Sequence, residues 1–113
     1  MKHSMKLLIE PFERIKIGTK FYEIRLNDEK RKMLRVGDSI EFSKRPELFE
    51  KIICEVTSLQ LFPNFVSLAM AIPLQHYSKS TTIKDFVNRC YELWTKENET
   101  KYGVLAIGIK AIK

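Results

Sequence analysis

Three charged side chains, Lys20, Glu23 and Arg25, fall within six residues that otherwise read as a strand. Phe21, Tyr22 and Ile24 are strand-favouring types, and Gly18 supplies a turn just before them. Ionised groups among core-forming residues cost free energy unless they are paired or held in a solvated cleft. In a cleft, Lys20 and Arg25 would bind an anion or a carbonyl, and Glu23 would orient them or exchange a proton. The plainer chemistry is structural: Glu23 and Arg25 pair to plug the end of a barrel, and Lys20 lies on the surface. In an extended strand Phe21, Glu23 and Arg25 share one face, with Tyr22, Ile24 and Leu26 on the other.

Lys101-Tyr102-Gly103 is a second place where chemistry is possible. The Tyr102 ring would stack on a flat ligand while Lys101 met a phosphate. Alternatively, Tyr102 closes a barrel and Lys101 is simply exposed. The run Lys30-Arg31-Lys32, with Arg35 close behind, is either a solvated helical turn or a phosphate-contacting patch. The spacing of Tyr91 and Trp94 places both in a core, and a base-stacking role would require Trp94 at the edge of its helix. No Ser, Thr or Cys sits in a recognisable nucleophile motif, and the four glycines are isolated, so there is no phosphate-binding glycine loop. His3, His76, Cys54 and Cys90 complete no zinc-ligand spacing, so neither metal nor cofactor is expected. Both cysteines sit among apolar residues and read as buried free thiols.

The elements that position these residues follow from pattern. Residues 5–9 read as a first strand. Pro11 suits the first turn of a helix that Gly18 would cap, and residues 20–26 form the next strand. Asn27 and Asp28 can cap a short turn through Met33, and Val36-Gly37-Asp38 turns into a strand at 39–43. After a polar loop at 44–50, residues 51–61 read as a long, mostly buried strand, and residues 65–71 as one or two helical turns. Thr82 followed by Asp85 resembles a capping box. Ile83, Phe86, Val87, Cys90, Tyr91 and Trp94 then share one helical face. Gly103 begins a final strand, 104–112, with Tyr102 entering it. This order predicts an α+β protein: a small, barrel-like sheet of mostly antiparallel strands with flanking helices.

At 113 residues, 44% apolar and 30% charged, the chain is expected to form one domain, 1–113. The run Leu7-Leu8-Ile9 is too short for a signal-peptide core, and no segment is long enough to span a bilayer, so the expectation is a cytoplasmic protein with no membrane partner. A net charge of +6 is compatible with a polyanionic partner without establishing one.

The order of these signals resembles the ASCH domain family of the PUA-like superfamily, in the small stand-alone prokaryotic form. The resemblance rests on Gly18-x-Lys20-x-x-Glu23-x-Arg25, on Val36-Gly37-Asp38, and on Lys101-Tyr102-Gly103-Val104-Leu105-Ala106-Ile107, and it spans about residue 5 to 112. It implies a PUA-like β-barrel whose cleft is lined by Gly18, Lys20, Glu23 and Arg25. It also implies binding of RNA or modified nucleosides, the role generally proposed for the family. One branch hydrolyses acetylcytidine with a lysine, a threonine three residues later and a distant glutamate. Lys20 matches that lysine, but Glu23 stands at the threonine position, and residues 63–80 contain no glutamate. Other members are reported to cut RNA. The alternative expectation is therefore a small hydrolase, acting on acetylcytidine or RNA, that uses Lys20 and Glu23.

Overall fold

The computed structural model describes residues 1–112; Lys113 lies outside the described residues. The chain begins with β1 (Lys2–Leu7), α1 (Ile9–Ile17) and β2 (Tyr22–Leu26), followed by a 3-10 turn at Arg31–Met33. Next come β3 (Ser39–Lys44), β4 (Lys51–Phe62) and α2 (Phe65–Ala71), then a second 3-10 turn at Leu74–His76. The chain ends with α3 (Ile83–Leu93), α4 (Lys96–Tyr102) and β5 (Val104–Ala111). The five strands form one sheet in the order β1-β3-β4-β5-β2. Only β1 and β3 run parallel; the other three pairings are antiparallel. This is the expected α+β architecture, a sheet curled into a half-barrel.

β1 and β2 are the two edges of this sheet, and they approach without forming a ladder. A side chain bridges them instead: Arg25 Nη2 donates to the Lys6 carbonyl at 3.1 Å. The curl brings the edges together because β4 is long and irregular. Its register shifts between Val56 and Ser58, and such a bulge bends the strand. Gly108 lies opposite the bulge, where an added Cβ would stand 2.2 Å from Ser58 Oγ.

Two cores flank the sheet. Met5, Leu7, Phe12, Ile15, Ile40, Phe42, Val56, Leu105 and Ile107 fill the concave side, which α1 caps. Ile24, Leu26, Phe65, Leu68, Phe86, Cys90, Val104 and Ala106 form the second core, under α2 and α3. β5 therefore alternates between the two cores, as a period-two strand covered on both faces must. β4 is less covered than its composition suggests: Ile53 is 40% and Leu61 62% exposed.

The first strand lies earlier than its apolar run indicates. Lys2, Ser4 and Lys6 alternate with His3, Met5 and Leu7, whereas Leu8 and Ile9 start α1 and are exposed. The helix begins before Pro11, so residues 8 and 9 cannot also belong to the strand. Gly18 caps α1 at φ 87°, the left-handed geometry that glycine tolerates best. At the Val36-Gly37-Asp38 turn, His3 Nε2 donates to Asp38 at 2.8 Å and the Arg35 N–H donates at 3.0 Å. The His3 bond is the main reason the Asp38 carboxyl is held down at about 2.

α4 is the element that pattern alone misses. Lys96–Tyr102 is charged nearly all round and shows no apolar period. Its formation depends on Thr95, whose hydroxyl accepts from the Asn98 N–H, and on Glu99, which is buried. Glu99 accepts the Phe65 N–H at 2.8 Å and the Tyr91 hydroxyl at 2.6 Å, tying α4 to α2 and α3. Tyr102 therefore ends a helix and does not enter the last strand; Gly103, at φ 76°, makes the exit.

Candidate functional site

Lys20 is placed by the end of α1. After Gly18 the chain folds back, and the Thr19 and Lys20 N–H groups both reach the Arg14 carbonyl, at 2.9 and 3.2 Å. The Phe21 N–H then bonds to the His76 carbonyl at 2.7 Å, so β2 starts at Tyr22 and not at residue 20. Lys20 is left in the connection with its side chain turned inward. It is 6% exposed, which excludes the surface position that composition allowed. Its Nζ donates to the Tyr77 carbonyl at 3.0 Å and lies 3.4 Å from Glu23 Oε1.

Glu23 pairs across the ladder with Ile107 and Arg25 with Leu105, so both side chains share the concave face of the sheet. Arg25 Nε donates to Glu23 Oε2 at 2.6 Å. Glu23 thus commits one oxygen to each cation and fixes the pair of them. Phe21, expected on the same face, lies outside the strand; it is 48% exposed with its ring edge-on to His76.

Burial sets the electrostatics. Loss of solvent pushes the Lys20 ammonium below the ordinary lysine range, and the Glu23 charge only partly opposes this. Burial alone would raise Glu23, but the charges of Lys20 and Arg25 outweigh it and hold the carboxyl below its usual value. Glu23 therefore remains an anion, and Lys20 is the member of the trio closest to giving up a proton.

The trio borders a cleft of about 430 Å³ at the open seam between β1 and β2. The cleft extends to α3, where Phe86, Cys90 and Trp94 border it, and to the segment that follows the second 3-10 turn. Six cations line it, Lys6, Lys20, Arg25, Arg45, Lys79 and Arg89, against two carboxylates, Glu10 and Glu23. Burial drives the Cys90 thiol up to about 12, so it is a packing group here and not a nucleophile. Trp94 ends α3, stacks on Phe65 with ring centroids 5.5 Å apart, and keeps an edge at the cleft. Core packing and a place at the cleft are both realised in this one residue.

Of the other sequence candidates, Gly18, Lys101 and Tyr102 do not border this cleft. Gly18 is exposed and acts through the turn it makes. Tyr102 packs against the α2–α3 core, and the Lys101 ammonium lies 5.1 Å from its ring centroid. In the basic run, Arg31 is half-buried, and its guanidinium is lowered by burial and by the nearby Arg25 charge. Lys6, Arg45, Lys79 and Arg89 also border the cleft, and sequence pattern does not mark them, since isolated basic residues carry no local signal. Among the described residues no group of three or more His, Cys, Asp or Glu could hold a metal ion, and no helix is long and apolar enough to cross a membrane.

A family model described as "ASCH domain" matches residues 5–113. Among solved structures, the hypothetical protein PH0355 is similar at 32% identity and TM-score 0.91, over 99% of this chain and 100% of that one. Protein PF0455 from Pyrococcus furiosus is similar at 29% identity and TM-score 0.82, over 100% and 99%. A mutant form of the ASCH protein of Zymomonas mobilis shares the fold at 12% identity and TM-score 0.65, over 97% of this chain and 70% of that one. None of the curated proteins matches this chain.

Proposed function

This chain belongs to the ASCH domain family, and from that premise we propose that its seam cleft binds RNA or a modified nucleoside. The observation that carries the reading is the cleft itself: about 430 Å³, part apolar and part basic, with a buried lysine and a partly exposed arginine oriented by one carboxylate. That volume falls in the range of small-molecule sites and suits a single base with its ribose. Lys20 and Arg25 are donors for a carbonyl or phosphate oxygen, and Glu23 holds them in place. Phe86 and Trp94 provide the apolar contact that a base requires. The excess of four cations over carboxylates favours a polyanion.

Trp94 is the only tryptophan of the chain and sits at the cleft, so its fluorescence reports occupancy directly. Titration with short RNAs and a panel of modified nucleosides should quench or shift that emission. RNA affinity should fall as salt rises, with a log–log slope of roughly −0.7 for each phosphate neutralised on a single strand. RNA affinity that ignores salt refutes binding through phosphates, and the absence of binding by every member of the panel refutes the proposal.

A second reading is favoured by one observation, the lowered Lys20 ammonium beside Glu23. Such an amine is closer to exchanging a proton near neutral pH, as hydrolysis of acetylcytidine to cytidine and acetate would require. Chromatography of acetylcytidine and of short RNA after incubation tests it. Turnover that Lys20→Ala abolishes in a folded protein supports hydrolysis, and intact substrates exclude it.

A further inference from the structure

We propose that the depression beside the start of α3, bounded by Lys79, Ser80, Thr81, Asp85, Asn88 and Arg89, is a phosphate subsite that extends the seam cleft. The ligand is then a nucleotide or a step of an RNA strand, and not a free nucleoside. The inference rests on the nucleoside or RNA reading of the cleft and deepens it.

Three observations carry it. First, the two hollows adjoin: Lys79 and Arg89 border both, so a ligand that fills the cleft can reach the depression across these two side chains. At about 470 Å³ it has room for a phosphate and part of a second nucleotide. Second, its chemistry differs from that of the cleft. The cleft is bordered by Leu7, Ile24, Phe86 and Trp94 among its cations, whereas every residue around the depression is polar or charged. Neither Lys79 nor Arg89 is in an ion pair with another described residue, so both charges remain available. Asp85 is the single acid present, leaving a net positive edge.

Third, the Ser80 hydroxyl oxygen is buried and has no hydrogen-bond partner among the described residues. A buried hydroxyl without a partner is costly, and such a group in a native structure calls for an explanation. Its own backbone N–H is satisfied by Ser78 Oγ at 3.0 Å, so the loop geometry does not depend on that hydroxyl. Rotation of the Ser80 side chain about χ1 would turn this otherwise covered oxygen toward a phosphate held between Lys79 and Arg89, which would supply the missing partner. An apolar base in the cleft with a charged ester in the polar annex is the division of contacts that a nucleotide presents.

Calorimetric titration of the full chain tests this with the four ribonucleosides, their 5′- and 3′-monophosphates, and the matching dinucleotides, all at one ionic strength. Monophosphates or dinucleotides should bind about tenfold more tightly than the corresponding nucleosides. Ser80→Ala and Asn88→Asp lie outside the seam cleft; both should remove most of that advantage and leave nucleoside affinity unchanged. A dinucleotide tighter than its monophosphates identifies a strand step as the ligand, and the reverse order identifies a free nucleotide. If nucleosides bind and their phosphates bind no better, the subsite is wrong and the cleft reading survives. Equal loss of nucleoside and nucleotide binding in both variants also overturns the subsite. If no nucleoside, nucleotide or dinucleotide binds, the cleft reading itself fails and the subsite fails with it.

Discussion

Replacing Glu23 by glutamine removes the one carboxylate that Lys20 and Arg25 share and keeps the shape of the side chain. Lys20 has a side chain only 5% exposed and lies 3.4 Å from Glu23, so it cannot recover its lost partner from solvent. Arg25 is 21% exposed and keeps its bond to the Lys6 carbonyl, so it suffers less. Breaking a buried ion pair by removing one partner costs about 3–5 kcal/mol, and the retained Arg25 contacts place this case at about 3. With a urea dependence of about 1.5 kcal/mol per molar, the unfolding midpoint should fall by about 2 M.

The pH dependence separates this cause from a packing defect. Burial already lowers Lys20 in the native protein, and without Glu23 it falls further below its unfolded value of 10.5. Between the folded and unfolded values the unfolded chain binds more protons, so stability rises with pH across that window. The deficit of Glu23→Gln should therefore shrink between about pH 7 and about pH 10. Lys20→Met combined with Glu23→Gln should cost less than the sum of the two single changes, by about 1–3 kcal/mol. Urea titrations at both pH values check all three statements. A midpoint shift below about 0.5 M, a deficit constant with pH, or strict additivity would refute the reasoning about this trio.

Gly108→Ala should destabilise the protein by about 1–3 kcal/mol, because the new Cβ meets Ser58 Oγ at 2.2 Å and the Ser58 backbone nitrogen at 3.2 Å. Denaturant unfolding checks this, and a neutral result would mean that the β4 bulge relaxes freely. Glu99→Gln should leave the fold intact and bring Tyr91 down from about 12 towards the ordinary tyrosine value, since the bond to Glu99 is the main cause of its rise. Alkaline absorbance titration of the four tyrosines reads this directly, and an unchanged late-titrating population would show that Glu99 is not the cause.

Local chemistry decided much of this protein before any tertiary contact was known. The αL glycine at Gly18, the Thr82 cap, the helical spacing from Ile83 to Leu93 and the shared face of Glu23 and Arg25 depend on neighbours a few residues apart, so pattern reveals them. The same reasoning failed at α4. A charged helix held by one cap and a buried glutamate has no apolar period to read, so pattern places Tyr102 at the last strand whereas it ends the helix. What only the folded chain decided is the site itself. Lys20 can be buried because a carbonyl 57 residues away, on Tyr77, accepts a hydrogen bond from its ammonium. The cleft exists because the two sheet edges meet without pairing, and Arg45, Lys79 and Arg89 reach it from separate segments. Desolvation and charge depend on distance in space, and sequence spacing records distance only along the chain.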